Sequence, residues 1–285
     1  MSFPHVYRIN LMAIFNDYTG KASVLRHLKS KGLQVNAGLS KPESNPKVMK
    51  NMLKGVLSSP LHLSPASISG FNVCPQSSYG CRNACLHSAG NPMYRLGKYK
   101  ARLAKTKAYF EERKAFVALI AFEIEALQIK ALRMGMQCAV RLNATSDIAW
   151  ERVAVNVNGT DHKSLMDAFP ACEFYDYSKT TKRALAWAKG GKAWPANYHI
   201  TFSKAEDNDD AVKLVLEAGG NVAAVFDKVP TEWNGTQVID GDSHDFRPLD
   251  PRGCIVGLKA KGDAKTDSSG FVVRLKGLTT EGQVI

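Results

Sequence analysis

Residues 172–226, "CEFYDYSKTTKRALAWAKGGKAWPANYHITFSKAEDNDDAVKLVLEAGGNVAAVF", alternate short apolar runs with longer amphipathic ones. The runs CEFYDYS, NYHITFS and NVAAVF have the length and the β-branched or aromatic content of buried strands. The runs TTKRALAWAKGG and NDDAVKLVLEAGG have apolar residues at helical spacing and end at glycines, as helices commonly do. Alternation of this kind predicts βαβ units and therefore a parallel sheet.

The same alternation continues on both sides of this stretch. Residues 69–73 (SGFNV), 137–143 (QCAVRLN) and 254–260 (CIVGLKA) are further predicted strands, and helical spacing predicts one long helix or two in sequence over residues 99–135. With at least six strands, we expect an α/β fold in the form of a full or partial (β/α) barrel. Its functional face is expected at the C-terminal ends of the strands, where polar residues follow. A doubly wound open sheet shows the same alternation and is the alternative.

The N-terminal part of the chain lacks the alternation of strand-like and helix-like runs that the rest shows. It contains a short predicted helix that ends at Gly32, followed by a polar segment with two prolines, NAGLSKPESNPKVMKN. We therefore expect a basic N-terminal appendage and linker over residues 1–56. The barrel-like domain, which carries a loop with three cysteines, is expected over residues 57–285.

The chain is strongly basic, with a formal net charge of +12. Residues 1–60 hold nine Lys and Arg against Asp17 and Glu43, and residues 82–114 hold nine against two glutamates. Such an excess favours a polyanionic partner, with nucleic acid first. No recognised DNA- or RNA-binding motif accompanies it, so solubility and a solvated helix face are the alternative.

The sequence also bears on the compartment. It contains no run of eighteen apolar residues, so no membrane-spanning helix is expected. The first residues lack the features of a signal peptide, and we expect a cytoplasmic protein. In a reducing compartment, clustered thiols act as metal ligands or catalysts more often than they form disulfides.

Three of the six cysteines lie close together in "NVCPQSSYGCRNACLHSAG", residues 72–90. Cys74, Cys81 and Cys85 on one flexible turn can converge on a single metal centre, and Gly80 would let the turn reverse tightly. The alternative is that the three cysteines have unrelated structural roles. Their concentration within one loop favours a shared ligand.

The number of thiols bears on which metal they would hold. Tetrahedral zinc needs a fourth ligand, and the nearest candidate is His87, only two residues after Cys85. Three cysteines without an obvious fourth ligand suit a [4Fe–4S] cluster with one open iron. We therefore expect Cys74, Cys81 and Cys85 to bind a [4Fe–4S] cluster, with zinc as the alternative metal.

Residues from about 55 to 274 resemble the gene product 88 family of phage and mobile-element proteins. The resemblance is carried by the strings LHLSPASISGFNVCPQSSYGCRNACLHSAG, VRLNATSDIAWE, EFYDYSK, PANYHITFS, NVAAVF and VIDGDSHDFRPLDPRGCIVGLKAKG. It implies a phage-encoded protein that works in the host cytoplasm, and it implies no activity.

A looser resemblance is to radical-SAM-like phage proteins. The string SYGC (78–81) and the string NATSD (143–147) stand where that group has a turn before its second cysteine and a polar string after a strand. The resemblance implies a radical SAM barrel with the cluster on the loop after its first strand. It also implies S-adenosylmethionine as a second cofactor.

The polar string after the 137–143 strand is the candidate ligand site. If the barrel is correct, Asn143, Ser146 and Asp147 reach a pocket above the cluster, because the carboxyl ends of neighbouring parallel strands meet at one edge. The alternative is that polar residues end any strand of an α/β protein.

Two functions follow from these expectations. In the first, the protein is a radical-SAM-like enzyme that acts on a nucleotide or nucleic acid. In the second, the cluster or zinc is non-catalytic and the protein is a binding module for nucleic acid or a host protein. Two departures from the radical SAM pattern favour the second: three residues separate Cys81 from Cys85 where two are usual, and Ala84 stands where an aromatic residue is usual.

Two other groups of residues have simpler interpretations. Cys138, Cys172 and Cys254 lie in apolar strand-like runs and are expected to be buried small hydrophobic residues. The acidic segment 239–250, IDGDSHDFRPLD, could bind a divalent cation through oxygen ligands, but Asp and Gly also form turns, and we expect a turn.

Overall fold

The computed structural model describes residues 13–85, 95–192 and 194–275. The strands are β1 (Val56–Pro60), β2 (Gln137–Arg141), β3 (Val155–Val157), β4 (Thr160–His162), β5 (Glu173–Ser178), β6 (Tyr198–Ser203), β7 (Asn221–Phe226), β8 (Glu232–Trp233), β9 (Thr236–Asp240), β10 (Ile255–Lys259) and β11 (Val272–Val273). The helices are α1 (Lys21–Ser30), α2 (Pro46–Met52), α3 (Tyr79–Asn83), α4 (Arg95–Glu111), α5 (Arg113–Arg133), α6 (Leu165–Ala168), α7 (Thr181–Lys189) and α8 (Asp209–Glu217).

The fold is mixed α/β around one mostly parallel sheet of nine strands. Eight strands follow the order β1-β2-β5-β6-β7-β10-β9-β8, and β11 pairs with β7. All of these pairings are parallel except that between β8 and β9. From β1 to β10 the order follows the chain without the reversal that a doubly wound sheet has. Within the described ranges no pairing joins β1 to β8, so closure of the sheet into a full barrel is not observed.

Most residues of β1, β2, β5, β6, β7 and β10 are buried, so both faces of these strands are covered, and this explains why their sequences are mostly apolar. Leu57, Val140 and Phe174 belong to the main core, which they share with α5. Their neighbours along the strands point the other way: Val56, Ala139 and Tyr175 pack against Phe246 on the opposite face. Helix α5 therefore covers one face of the sheet, and part of the acidic segment covers the other together with α2.

The predicted helical region 99–135 consists of two helices in sequence. Helices α4 and α5 are separated at Glu112, whose backbone leaves the helical conformation (φ −132°, ψ 52°). Helix α5 buries seven consecutive residues, 115–121, as expected for a helix enclosed on all sides. Among the helices of the described residues, none combines the length and the apolar character needed to cross a bilayer.

Most predicted strands are confirmed, and one is wrong. Strands β2, β5, β6, β7 and β10 lie where the sequence placed them. The SGFNV segment (69–73), however, is a turn, because Gly70 adopts a positive φ of 89° and its N–H bonds to the carbonyl oxygen of Ser67. The first strand is instead β1, earlier in the chain, and the cysteine loop still follows the first strand of the sheet.

The segment predicted as an appendage packs on the rest of the molecule. Helix α1 lies against α5, and its Val24 and Leu28 belong to the main core. The side chain of Asn51 in α2 is also fully buried, and it donates to the hydroxyls of Ser58 (2.7 Å) and Tyr175 (3.3 Å). Residues on both sides of residue 56, the predicted boundary, therefore share the main core.

Candidate functional site

The cysteine loop docks at the C-terminal end of the parallel strands. Its helix α3 begins after Ser78, whose hydroxyl accepts the backbone N–H of Cys81 (3.1 Å) as an N-cap. On the other side, the backbone N–H of Asp147 donates to the carbonyl oxygen of Val73 (2.8 Å). The loop after β1 is thus bonded to the loop after β2, as expected for neighbouring parallel strands.

A carboxylate from the loop after β6 holds the start of α3. Glu206 accepts the hydroxyl of Ser78 and the backbone N–H of Gly80, both at 2.6 Å. A carboxylate is favourable there because the first N–H groups of a helix have no helical partner. The sequence gives no local signal for this role of Glu206.

Gly80 is required for close packing rather than for a tight reversal of the turn. A Cβ at this position would lie 2.1 Å from Oγ of Ser269 and 2.8 Å from Cβ of Phe271, both just before β11. The backbone of Gly80 does not have the positive φ that a glycine-specific turn uses. The cysteine helix therefore sits directly on the end of the sheet.

The three loop cysteines have intermediate exposure, and no disulfide joins them. Burial raises the pKa of the Cys74 thiol to about 12, and Cys85, Asp147 and Cys81 add to the rise through their negative charges. The three sulfurs and the Asp147 carboxylate therefore share one electrostatic environment. Burial lowers the pKa of Arg102, and the nearby Cys85 opposes that effect.

The thiols do not form a ready metal site as they stand. Across residues 13–85, 95–192 and 194–275, no group of three or more His, Cys, Asp or Glu side chains is arranged to hold a metal ion. The candidate zinc ligand His87 lies outside the described residues. A bound metal would therefore have to draw the three thiols closer together.

Asn143 and Ser146 hold the loop after β2 in shape. The Asn143 amide donates to the carbonyl oxygen of Ile148 (2.9 Å) and to the carboxylate of Asp176 (3.2 Å). Its oxygen accepts the hydroxyl of Ser146 (2.8 Å) and the N–H of Ile148 (2.9 Å). Both residues are buried, and their hydrogen bonds are made within the protein.

Asp147 lies beside the cysteine loop, but its carboxylate is also engaged. It accepts Nη1 of Arg183 in α7 (2.7 Å) and the backbone N–H of Lys179 (2.9 Å). Arg183 in turn holds Glu151 with two hydrogen bonds, at 3.0 and 2.9 Å. Burial opposes the charge of Arg183, yet Tyr198, Glu151 and Asp147 raise the pKa of its guanidinium well above its usual value.

A second carboxylate completes this buried network. Asp176 of β5 is inaccessible to solvent and accepts the backbone N–H of Asn143 (2.6 Å) and the hydroxyl of Tyr198 (2.8 Å). Burial raises the pKa of Asp176 to about 7, against the lowering effect of those hydrogen bonds and of nearby arginines. The network connects the loop after β2 to the interior of β5 and to the first residue of β6.

A cleft of about 1080 Å³ lies on the outer side of this network. Its wall includes the start of the cysteine loop (Asn72, Val73 and Pro75) and Asp147, so the cleft and the cysteines are neighbours. Six Arg and Lys line it: Arg113, Arg152, Lys163, Lys182, Arg183 and Lys192. The sequence did not reveal this cleft, because its basic residues come from segments far apart in the chain.

The acidic segment 239–250 is engaged within the protein. The Asp245 carboxylate bonds to the guanidinium of Arg141 (3.0 Å), and Asp242 bonds to Nζ of Lys261 (2.7 Å). Asp240 accepts the backbone N–H of Asp242 in a turn (2.8 Å). These bonds agree with the predicted turn.

The remaining cysteines are buried, as predicted. Cys138 and Cys172 lie on neighbouring segments of the core with their sulfurs 3.6 Å apart, and both are free thiols. Cys254 is buried at the start of β10.

Comparison with known protein families gives a match over most of the chain. A family model described as Gene product 88 matches residues 28–275, which include the cysteine loop, the buried network and the cleft. No curated protein matches the chain, and no solved structure does.

Proposed function

Because the chain belongs to the gene product 88 family of phage proteins, whose name states no activity, we propose a function from the site itself: an iron–sulfur protein that binds a [4Fe–4S] cluster through Cys74, Cys81 and Cys85. One observation carries the proposal. The three cysteines lie on a single loop at the C-terminal end of the parallel strands, where Cys85 and Cys81 act electrostatically on the thiol of Cys74.

The donor chemistry fits a cluster. Thiolates are the ligands that iron–sulfur clusters take, and three of them leave one iron open. The raised pKa of Cys74 disfavours three thiolates together without a cation, and a bound metal reverses this preference because a coordinating thiol is deprotonated. Zinc would need a fourth protein ligand or a water.

The position of the loop supports a radical-SAM-like, partial (β/α) barrel. The cysteines follow the first strand of a parallel sheet whose order runs along the chain from β1 to β10. That is the placement that the resemblance to radical-SAM-like phage proteins implies. The ligands would then lie at the strand ends, where α/β proteins place their functional residues.

A cluster bound there would supply one-electron chemistry on S-adenosylmethionine, directed at a nucleotide or nucleic-acid substrate. The chain's own residues hold the loop in place for this. Glu206 fixes the start of α3, and Asp147 joins the cysteine loop to the loop after β5. Arg102, near Cys85, offsets part of the negative charge of the thiolates.

A second candidate function rests on the bonding of the predicted ligand residues. Asn143, Ser146 and Asp147 use their side chains to bond other parts of the protein. This bonding favours a non-catalytic cluster that stabilises a binding module for nucleic acid or a host protein. Zinc in the same loop would serve that module equally well.

Calorimetry and absorption spectroscopy test these functions. Protein reconstituted anaerobically with iron and sulfide should be brown, and colourless protein would overturn the iron–sulfur proposal. S-adenosylmethionine should then bind the reconstituted wild type and should not bind the Cys81→Ser variant. A brown protein that gives no heat with S-adenosylmethionine would contradict the enzyme and favour the binding module.

A further inference from the structure

The cleft beside the cysteine loop carries an uncompensated positive charge. Six basic residues face three acidic ones, a net charge of +3 for the lining. The acidic residues are already engaged: Arg183 holds Asp147 and Glu151, and Asp167 pairs with His162.

The other five basic residues of the lining differ from Arg183. These residues are Arg113, Arg152, Lys163, Lys182 and Lys192. All five side chains are exposed, and none forms an ion pair within the described part of the chain. They come from α5, α7 and three connecting segments, so they surround the cleft rather than forming one point of charge. Like charges around a concave, weakly polar wall focus a positive potential that attracts anions with several charges.

Aromatic rings accompany these cations. Trp194 lines the cleft, and its indole N–H donates to the carbonyl oxygen of Tyr198 (2.6 Å) while its ring stacks on the Tyr198 ring at 5.3 Å. The indole is thus held in one orientation before any ligand arrives. Tyr109 and Phe110 also line the cleft.

We propose that this cleft binds single-stranded nucleic acid, with the exposed Arg and Lys contacting phosphates and Trp194 stacking on a base. Cations along a groove combined with an aromatic platform are the features by which proteins bind single strands. The volume, about 1080 Å³, leaves room for more than one nucleotide unit, since pockets of roughly 300–1,000 Å³ hold drug-sized ligands. An acidic peptide would use the charges but not the aromatic platform.

The test is fluorescence anisotropy with a labelled single-stranded oligothymidylate of about twelve nucleotides, within the site size of known single-strand binders. The cleft variant is the triple substitution Arg152→Gln, Lys182→Gln and Lys192→Gln. Its control removes the same charge from exposed lysines outside the cleft, with Lys29→Gln, Lys213→Gln and Lys228→Gln.

The cleft variant should lose at least about tenfold in affinity at 0.1 M salt. The negative slope of log affinity against log salt should become shallower by about 2, since each phosphate that the variant no longer neutralises removes roughly 0.7 from its magnitude. The control should lose much less. Equal losses in both variants would overturn the proposal, since they would mean that any basic surface of this chain binds the strand.

Trp194 gives a second, independent readout. Trp194→Leu should weaken binding about fivefold or more without changing the salt slope, because stacking releases no counterions. Trp194→Phe should restore most of the loss. Tighter binding of a duplex of the same length, or full competition by thymidine monophosphate at equal concentration, would overturn the choice of ligand.

This inference deepens the nucleic-acid part of the proposed function and not its cluster part. The same titrations are therefore repeated in the Cys81→Ser background, where the cluster is absent. In that background, a loss of oligonucleotide binding in the cleft variant reports on the cleft alone. If the wild type binds no cluster, the oligonucleotide result is unaffected.

Discussion

Replacing Asp147 with Asn would separate an anchoring role from a ligand-binding role for this carboxylate. In the structure Asp147 accepts two hydrogen bonds, from Arg183 (2.7 Å) and from the N–H of Lys179 (2.9 Å), with only 10% of its side chain exposed. Asn keeps the shape but loses the charge, and its nitrogen presents a donor where an acceptor is needed. One of the two bonds is therefore lost and the other is weakened.

The expected cost follows from the burial of the partners. A hydrogen bond to a charged group contributes about 1.5–3 kcal/mol, and the Arg183 guanidinium keeps Glu151 as its second partner. We therefore expect Asp147→Asn to lower the free energy of unfolding by about 2–3 kcal/mol. The measurement is urea unfolding followed by circular dichroism, with the midpoint and slope compared with those of the wild type.

The matched control is Asp207→Asn. Asp207 is exposed and, within the described residues, forms no ion pair, so its change should stay within about 0.5 kcal/mol. If Asp147→Asn costs less than that and instead abolishes S-adenosylmethionine binding, the anchoring role is refuted. The role expected from the sequence, direct contact with a ligand, would then stand.

Two further predictions concern the buried network and the cysteine helix. The pKa of Asp176 rises from 3.8 to about 7 on folding, because burial favours the neutral carboxyl, so the wild type should lose stability as the pH rises from about 4 to 7. Asp176→Asn should flatten this part of a stability profile measured between pH 4 and 8. An unchanged profile would contradict the raised pKa. Gly80→Ala should cost about 1–3 kcal/mol and lower metal content, because the new Cβ would lie 2.8 Å from Cβ of Phe271, which cannot move by a simple rotation of its side chain. Gly97→Ala, in an open part of α4, should be neutral or slightly stabilising, and equal thermal melting of the two variants would contradict the packing of α3 on the sheet.

The sheet was predictable because its strands are buried on both faces. Such strands have mostly apolar sequences, and residues 172–226 alternate them with helices ending at glycines. The SGFNV prediction failed because its composition suits a strand while Gly70 adopts a positive φ. Composition reports which residues can be buried, and it does not report the backbone conformation of a glycine.

The candidate site was predictable only in part. That Asp147 meets the cysteine loop followed from the rule that parallel strand ends share an edge. Its partner Arg183 lies 36 residues further along the chain, in the middle of an amphipathic helix, and nothing in that helix distinguishes an inward arginine. Glu206 and the basic cleft were missed for the same reason, because they depend on contacts between distant segments.

The iron and acid-labile sulfide content of anaerobically reconstituted protein tests the central claim most directly. Wild type and the buried-thiol control Cys138→Ala should each contain about four irons and four sulfides per chain, and Cys81→Ser should contain close to none. One zinc per chain without sulfide, or the same iron content in Cys81→Ser as in the wild type, would contradict an iron–sulfur cluster on the loop of Cys74, Cys81 and Cys85.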